Sequence, residues 1–325
     1  MNTRDSSLEP SGEKPEIDPS AVRPSTVKLP ERAPRGEQTI LEFFLHRFPR
    51  IPETVWLERF STGKVWTRDT PIDIETPYEP LLEVHYRREV EREPEVREDF
   101  RIVWSDQHLM VVDKPPHLPV TPGGRWVRGC LLHLLLEATG NDRIAPLHRL
   151  DRLTSGLVLL SLDPESRGHF AALFQPRSLV EKDYTAVCEL RCDAPPQRFT
   201  LTHHIARSGD EYWRQVVRPE LPPNATCNVK VLEEGNNLAL VRVRPTTGRK
   251  HQIRVQLAEA GLPILGDPLY GTNPFNDPED LTRRLWLDAH RLAASSFPGL
   301  KDADPLTAEW TSSRPPAEFF RRATD

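Results

Sequence analysis

The sequence has few cysteines, no long apolar run and no excess of positive charge. Its four cysteines form no C-x-x-C pair, so no redox or cysteine–zinc motif is indicated and we expect reduced, buried thiols. No apolar run approaches the ~20 residues that a membrane-spanning helix needs. With 43 basic and 48 acidic side chains, the net charge is −5. Nucleic-acid binding would therefore require a local basic patch.

Proline, in contrast, is abundant. There are 33 prolines in 325 residues, about twice the usual ~5%, which favours turns, sheet edges and linkers over long helices. The first twenty residues are rich in acids and contain no apolar stretch, so we expect neither a secretory signal nor a transit peptide. The composition predicts a soluble, cytoplasmic protein.

Composition divides the chain into four parts. Residues 1–38 combine proline and mixed charge with few apolar side chains, which predicts a disordered tail. Residues 39–86 show two short helical patterns followed by a strand, which predicts a small separate unit. Residues 87–99 hold ten charged side chains in thirteen positions and predict a solvated linker. Residues 100–325 form the remaining domain.

This last domain mixes strand and helix patterns without strict alternation. LVLLS (157–161) and DYTAVCEL (183–190) predict strands, whereas DPESRGHFAALFQP (163–176) and HQIRVQLAEAG (251–261) predict helices. Such a mixture predicts an α+β fold around a mostly antiparallel or mixed sheet.

One candidate for chemistry is the segment PLHRLDRLTSGLVLLS (146–161). Asp151 lies between Arg149 and Arg152, just ahead of a Thr-Ser-Gly turn that leads into a buried strand. A nucleophilic or basic aspartate requires a carboxylate in a loop at the mouth of a sheet, kept ionised by guanidinium groups. A structural Asp–Arg pair that stabilises the turn has the same pattern, so both interpretations stay open here.

A second candidate is a basic stretch without acids. Between positions 242 and 254 there are five basic side chains, with His251 among them: Arg242, Arg244, Arg249, Lys250 and Arg254. The Thr-Thr-Gly-Arg turn and the start of the following helix suit a phosphate group. The alternative is a solvated charged face.

Several segments together resemble a known family. HRLDRLTSG resembles H-R-L-D-x-x-T-S-G, the signature of the RluA family of RNA pseudouridine synthases, at every fixed position. GRKHQIRVQLAEAGLPILGDPLYG (248–271) is similar to the second block of that family. VVDKPPHLPVTPGG, EKDYTAVCE and WLDAHRLAASSFP resemble three further blocks, in family order. The resemblance covers about residues 100–320.

The resemblance implies an enzyme that isomerises uridine to pseudouridine in structured RNA, either tRNA or ribosomal RNA. It implies a mostly antiparallel catalytic sheet with an RNA cleft, and no cofactor or metal. Asp151 is the implied essential aspartate, Tyr184 packs on the base and removes its C5 proton, and Arg254 pairs with Asp151. Arg149 is expected to help rearrange the flipped-out uridine. We expect further RNA contacts from a basic set: Arg249, Lys250, His251, Arg242 and Arg244. We also expect a monomer.

Some positions depart from the family pattern. His117 stands where glycine is usual, and Thr121 and Gln256 stand where histidines are common; these departures bear on substrate identity. We interpret Asp267 as a structural turn residue.

Residues 39–80 are similar to the alpha-L RNA-binding module. The likeness rests on Arg59, Gly63 and Val65. The segment carries little positive charge, so a degenerate module used for positioning is one interpretation.

Two other functions compete with the synthase. A catalytically silent RNA-binding protein on the same fold has no need for the combination of Asp151, Tyr184 and Arg254. A phosphatase of the haloacid-dehalogenase type needs D-x-D, whereas Arg152 and Leu153 follow Asp151.

Overall fold

The fold is described by a computed structural model that covers most of the chain. The described residues are 24–88, 90, 92–174, 180–191, 195–209, 211, 213–272, 277, 279–294 and 308–324. The chain divides into two compact units, Met1–Glu91 and Arg92–Asp325. No helix in the described ranges is long and apolar enough to cross a membrane.

The first unit packs two helices against a small antiparallel sheet of order β1-β4-β2-β3. Its elements are β1 (Ser25–Lys28), α1 (Ile40–Arg47), α2 (Glu53–Ser61), β2 (Val65–Thr67), β3 (Thr70–Pro71) and β4 (Glu83–Tyr86). Thr39 caps α1, because its side chain accepts a hydrogen bond from the backbone N–H of Glu42. Phe44 and Trp56 meet in the core with ring centroids 4.8 Å apart.

The predicted disordered tail is too long. Residues 1–23 lie outside the described part of the chain, but β1 pairs with β4 along its length, and Leu29 is 1% exposed. Disorder was therefore the wrong prediction for residues 25–29. Its physical reason is that the pairing partner of β1 lies almost sixty residues away, where local composition gives no sign of it.

The second unit is built on a ten-stranded sheet. Its strands are β5 (Arg101–Ser105), β6 (Leu109–Lys114), β7 (Ala145–Pro146), β8 (Ser155–Ser161), β9 (Val180–Glu189), β10 (Arg198–His203), β13 (Ala225–Gly235), β14 (Leu238–Pro245), β15 (Leu287–Ala294) and β16 (Ala308–Thr311), with β11 (Ile205–Arg207) and β12 (Gln215–Val217) forming a separate hairpin. The main order is β10-β13-β14-β9-β15-β8-β6-β5, and every pair is antiparallel except β15 with β8. The predicted α+β fold with a mostly antiparallel sheet is confirmed.

Helices cover parts of both faces of this sheet. They are α3 (Leu131–Thr139), α4 (Pro164–Ala172), α5 (Gln252–Glu259) and α6 (Pro316–Thr324). The residues of α3 and α5 pack on one face, called the front face here, on which Tyr184 also lies. Those of α4 and α6 pack on the opposite, back face. Alternation along each strand assigns successive side chains to the two faces.

The predicted solvated linker is partly ordered by contacts. The carboxylate of Glu93 accepts hydrogen bonds from the backbone N–H groups of Val127, Arg128 and Gly129, at 2.8–2.9 Å. Val96 packs against the core on the front face. The prediction was wrong at these two positions, because charge density does not show which acids serve as backbone acceptors.

Candidate active site

Asp151 lies in a tight turn between β7 and β8. The backbone N–H of Thr154 donates to the carbonyl oxygen of Asp151 at 3.1 Å, closing the turn. His148 supports the same loop, because its Nε2 accepts the backbone N–H of Leu159 at 3.1 Å. Burial lowers the pKa of His148 to about 3, so this imidazole is neutral and acts as an acceptor. The side chain of Asp151 keeps 29% of its surface exposed.

Gly156, at the start of β8, explains the Thr-Ser-Gly pattern. Its φ is +109°, and a Cβ there would lie 2.5 Å from the backbone of Ala289 on the parallel neighbour β15. Any side chain would therefore push the two strands apart. Ser155 fixes the same junction, since its Oγ donates to the buried carboxylate of Asp288 at 2.6 Å.

Arg254 holds two carboxylates at once. Its Nη1 donates to Oδ2 of Asp151 at 3.0 Å, while Nε and Nη2 form a fork on Asp267 at 2.8 Å each. Asp267 is completely buried, and its Oδ1 also accepts the backbone N–H groups of Leu269 and Tyr270. Asp267 therefore orients Arg254, a role that the sequence did not reveal beyond its place in a turn.

This arrangement keeps Asp151 ionised. Burial acts to raise the pKa of the Asp151 carboxyl, but His251 when it is protonated, together with the cations Arg254 and Lys250, outweighs burial and holds that pKa below its usual range. Burial lowers the pKa of His251 itself to about 4, so His251 is neutral near pH 7. Arg254 is then the permanent cation in contact with Asp151.

His251 is placed beside Asp151 by a chain of hydrogen bonds. The hydroxyl of Tyr270 accepts the backbone N–H of Gln215 at 2.8 Å, and lies 2.9 Å from Nδ1 of His251. The other ring nitrogen of His251, Nε2, lies 3.8 Å from Oδ2 of Asp151. Tyr270 is a site residue that the sequence analysis missed, although it lies in the block LGDPLYG.

Tyr184 on β9 lies close enough to Asp151 for the charge of that carboxylate to act on its hydroxyl. Its ring packs against the apolar clusters under both α3 and α5. Burial raises the pKa of its hydroxyl, and the negative charge of Asp151 raises it further. The phenol is therefore protonated, so a phenolate base is not already formed in the protein without RNA.

Lys114 is a second residue that the sequence analysis did not place at the site. It is fully buried, and its Nζ donates to the carbonyl oxygens of Pro115 at 2.9 Å and Arg152 at 3.3 Å. Burial lowers its pKa to about 7, against the opposing charge of Asp151. Lys114 thus fixes the backbone directly after Asp151. Its only signal in the sequence was the lysine–proline block.

The structure explains why histidine is accommodated at position 117, where the family pattern has glycine. His117 adopts a φ of +65°, the left-handed region in which glycine is most stable. Its Nε2 donates to the carbonyl oxygen of Arg283, and its Nδ1 lies 3.3 Å from Nη1 of Arg152. The side chain of His117 therefore makes contacts that glycine cannot, at the cost of a strained backbone.

The basic residues predicted to contact RNA divide between two faces. Arg149 and Lys250 are exposed on the front side and close enough for their charges to interact. Arg249 is also exposed, and its Nε donates to the carbonyl oxygen of Asn224 at 3.2 Å. Arg207, on the β11–β12 hairpin, adds a further charge near Lys250; the sequence analysis did not include it.

Arg242 and Arg244 do not belong to this site. In the register of β14 with β9, Val243 lies opposite Tyr184; Arg242 and Arg244 therefore lie on the back face. Arg244 also forms a fork on Asp183 at 2.8 and 3.0 Å. The sequence analysis grouped them with Lys250 in one basic stretch, whereas the structure places them on the opposite face of the sheet, because a linear sequence does not show which face a strand residue takes. Their contact with RNA stays a prediction.

No metal site is formed by the residues that the structure describes: they contain no cluster of three or more histidine, cysteine, aspartate or glutamate side chains placed to hold an ion.

Comparisons with known proteins identify the family of the chain. The profile of a family described as RNA pseudouridylate synthase matches residues 108–259. An uncharacterized RNA pseudouridine synthase of Synechocystis sp. is 30% identical over 233 residues, which are 71% of this chain and 79% of that protein. A solved structure, human RNA pseudouridylate synthase domain containing 1, superposes with a TM-score of 0.55 at 25% identity, covering 70% of this chain and 89% of that chain.

Two relatives carry names that specify a substrate. Ribosomal large subunit pseudouridine synthase D of Pseudomonas aeruginosa is 33% identical and covers 53% of this chain. The mitochondrial tRNA pseudouridine(32) synthase of Saccharomyces cerevisiae is 25% identical and covers 73% of this chain. The matched regions span only 54% and 51% of those two proteins. The likeness to the Synechocystis protein extends over most of its length, and the chain therefore belongs to the RluA-type RNA pseudouridine synthases, the isomerases that convert uridine to pseudouridine in RNA.

Proposed function

We propose that this protein isomerises a specific uridine in a stem-loop of tRNA or ribosomal RNA. The observation that carries the proposal is the ionised Asp151, held by Arg254 yet partly open to solvent, beside the aromatic face of Tyr184. A binding protein gains nothing from stabilising a charged carboxylate at this position. An overall charge of −5 with exposed cations around the site favours a compact RNA target over a broad RNA surface.

The chain's residues suit the steps of that reaction. A stacked uridine must be turned out of the RNA before it can react, and an aromatic side chain helps to hold the extruded base. Tyr184 is placed to do so, while Arg149 is exposed two residues before Asp151 to contact the displaced nucleotide. Asp151 then begins the reaction, either by attack on the uracil or the ribose or by removing a proton. Cleavage of the glycosidic C–N bond, rotation of the uracil and formation of the C–C bond at C5 follow.

The last step is loss of the C5 proton, which we assign to Tyr184. Because the Tyr184 hydroxyl is protonated in the protein without RNA, it must pass its own proton to the neighbouring Asp151 carboxylate or to water before it accepts the one from C5. The raised pKa then makes the phenolate a strong proton acceptor.

Replacing Asp151 by asparagine tests the assignment. We expect Asp151→Asn to abolish isomerisation, because an amide neither attacks nor accepts the proton, while RNA affinity survives through phosphate contacts. The measurement is tritium release from RNA labelled at C5 of uridine, with RNA binding measured in parallel. Asp142→Asn, at an exposed position outside the site, is the matched control and should behave as wild type.

The outcomes separate the two leading functions. Activity of Asp151→Asn above a thousandth of the wild-type rate would reject Asp151 as the essential group. If the wild type binds RNA but releases no tritium from any cellular RNA, the protein is a silent RNA-binding protein. Comparing pseudouridine positions in RNA from cells with and without this protein then identifies the target.

The compartment, the oligomeric state and the role of the first unit form part of the same proposal. We assign the protein to the cytoplasm as a monomer, with the unit around residues 39–86 positioning it on RNA. In that unit Arg59 is only 8% exposed, and its guanidinium lies 4.8 Å from the ring centroid of Trp56. Arg59 therefore supports the core of the unit, and an RNA contact there needs other side chains.

A further inference from the structure

The back face of the large sheet is apolar along one part of its strands and polar along the rest. Val187 and Leu240 lie beneath Phe319 and Phe320 of α6. Beyond α6 the same face becomes polar and basic and forms a cleft of about 480 Å³. Its lining consists of Asp183, Arg198, Phe199, Thr200, Asn228, Val229, Lys230, Arg242 and Arg244. Nothing in the proposed reaction uses this cleft.

Three of these cations form a row across adjacent strands. Arg198 on β10 lies directly opposite Lys230 on β13, and Lys230 lies directly opposite Arg242 on β14. Like charges directly opposite each other destabilise a sheet. Neighbouring strands are ~4.8 Å apart, so the row is about 10 Å long. We call these three residues the back-face row.

Among the described residues, the counter-charge that acts on the back-face row is Asp183, whose pKa the charge of Arg242 helps to lower. The acid in the cleft, Asp183, is already shared by Arg244 and Arg291, at 2.8 and 3.2 Å. None of the three row residues forms an ion pair or hydrogen bond with its side chain in the ranges described. A protein of net charge −5 thus keeps three neighbouring cations beside an acid that two other arginines already hold, an arrangement that an external anion would stabilise.

The surroundings indicate the kind of anion. Thr200 and Asn228 border the row, and Thr200 Oγ1 donates to Asn228 Oδ1 at 2.9 Å, which leaves the Asn228 amide nitrogen as a donor toward the cleft. The one aromatic residue of the lining, Phe199, packs toward the core of the front face instead. The cleft therefore offers cations and hydrogen-bond donors in a row, but no ring on which a base stacks. These groups suit consecutive phosphates of a nucleic-acid backbone.

We propose that the back-face row binds the phosphodiester backbone of the RNA substrate, at a part of the RNA outside the stem-loop held at Asp151. Because Tyr184 faces the other side of the sheet, an RNA that reaches both places passes around the edge at β10, the last strand in the sheet order. The proposal rests on the proposed function in one respect, namely that the substrate is a structured RNA longer than a single hairpin.

The test compares two RNAs and two double variants. Arg198→Ala/Lys230→Ala removes two charges of the row, and Arg101→Ala/Arg143→Ala removes two exposed charges elsewhere, Arg101 being on the opposite edge strand β5. Affinity is measured over a range of salt concentrations for a full-length RNA transcript that the wild type binds and for an isolated hairpin taken from it. Each lost phosphate contact lowers the slope of log affinity against log salt by about 0.7–0.9.

We expect the row variant to reduce this slope by about 1.4–1.8 on the long transcript and to leave hairpin binding and the hairpin single-turnover rate unchanged. The control variant should leave the slope unchanged on both RNAs. If the row variant fails to fold, Arg242→Gln is measured instead and should reduce the slope by about 0.7–0.9.

An unchanged slope on the long transcript, or an equal loss on the hairpin, would overturn the proposal. The outcome is independent of catalysis: if the wild type releases no tritium, the proposed function fails, while the slopes for the long transcript still decide whether the row binds RNA.

Discussion

The guanidinium group of Arg254 uses three of its nitrogens for two carboxylates. Asp267 takes Nε and Nη2, which fixes the plane of the group, and Asp151 takes Nη1. A lysine keeps the charge but has no planar fork, so it cannot satisfy both acids in this geometry. Orientation, rather than charge alone, distinguishes Arg254 from the other cations around the site.

Arg254→Lys should shift the pH dependence of the reaction. The pKa of Asp151 is held below its usual range in the wild type, and a weaker pairing lets it rise by ~1–3 units. Activity requires ionised Asp151, so it should be lost first in acid and recover as the pH rises. The measurement is the single-turnover rate from about pH 5 to 9.

Arg254→Ala removes the pairing with Asp151 completely. It should show a larger shift, together with lower stability, because it leaves the buried Asp267 unpaired. If Arg254→Ala is folded, binds RNA less tightly and keeps the wild-type rate and pH profile, then Arg254 is a phosphate contact and its pairing with Asp151 is unimportant for the chemistry.

His148 should make the protein less stable in mild acid. Its pKa is about 3 in the folded protein and ~6.5 when unfolded. Between those values the unfolded chain binds more protons, so the free energy of unfolding falls as the pH drops below about 6.5. At pH 5 this effect is about 2 kcal/mol.

The variant His148→Gln isolates that effect. Its loss of stability between pH 7 and pH 5, measured by urea unfolding, should be smaller than that of the wild type by about 2 kcal/mol. His251, whose pKa is also lowered by burial, titrates in both proteins and cancels in the difference. Equal losses in the two proteins would show that His148 is not protonated on unfolding in this range.

Among the elements, those with a local signal were predictable from sequence. The apolar spacing of α1 and the cap of α4 are local: Asp163 accepts the backbone N–H of Ser166, and Pro164 occupies the first turn. Gly140, in the left-handed conformation that glycine favours after a helix, ends α3. The catalytic segment was also recognisable, because its family signature is contiguous.

Pairings between distant strands were not predictable. The back-face position of Arg242 follows from the register of β14 with β9, and one residue of slip would reverse it. Strand β1 has no local signal that separates it from the proline-rich tail. Tyr270 and Lys114 reach the site through buried hydrogen bonds that depend on the complete fold.

The junction of β8 with β15 should not tolerate a side chain at Gly156. In Gly156→Ala the new Cβ collides with the backbone of Ala289, and the φ of +109° is unfavourable for alanine. The collision and the backbone strain together should lower the free energy of unfolding by about 3 kcal/mol or more. Gly168→Ala is the matched control: Gly168 lies in α4 with nothing within 4 Å, and the change should stabilise by about 0.5–1 kcal/mol.

Chemical unfolding of both glycine variants provides the measurement. A loss below about 1 kcal/mol for Gly156→Ala would mean that β15 moves aside easily and that the start of β8 is not rigid. The position of Asp151 depends on that rigidity, because the turn that carries Asp151 leads directly into β8.

At the scale of the whole molecule, the local charge of some surfaces differs in sign from the net charge. The chain is acidic overall, yet exposed cations surround Asp151 on the front face and the back-face row lies on the other. Such separation steers a polyanion toward particular regions while the rest of the surface repels it. Specific placement of RNA therefore depends on a few lysines and arginines rather than on net charge.

The two units have separate apolar cores, which predicts separate unfolding. Trp56 and Phe44 lie at the centre of the first core, and Phe170 lies in a core of the second unit. Trp56→Ala should destabilise the first unit by about 3–5 kcal/mol and leave the isomerisation rate on an isolated hairpin unchanged. Phe170→Ala is the control that should destabilise only the second unit. Hydrogen exchange of the full chain, followed by mass spectrometry, reports each unit separately. Faster exchange throughout both units in Trp56→Ala would contradict the prediction. It would show that the chain unfolds as one cooperative structure.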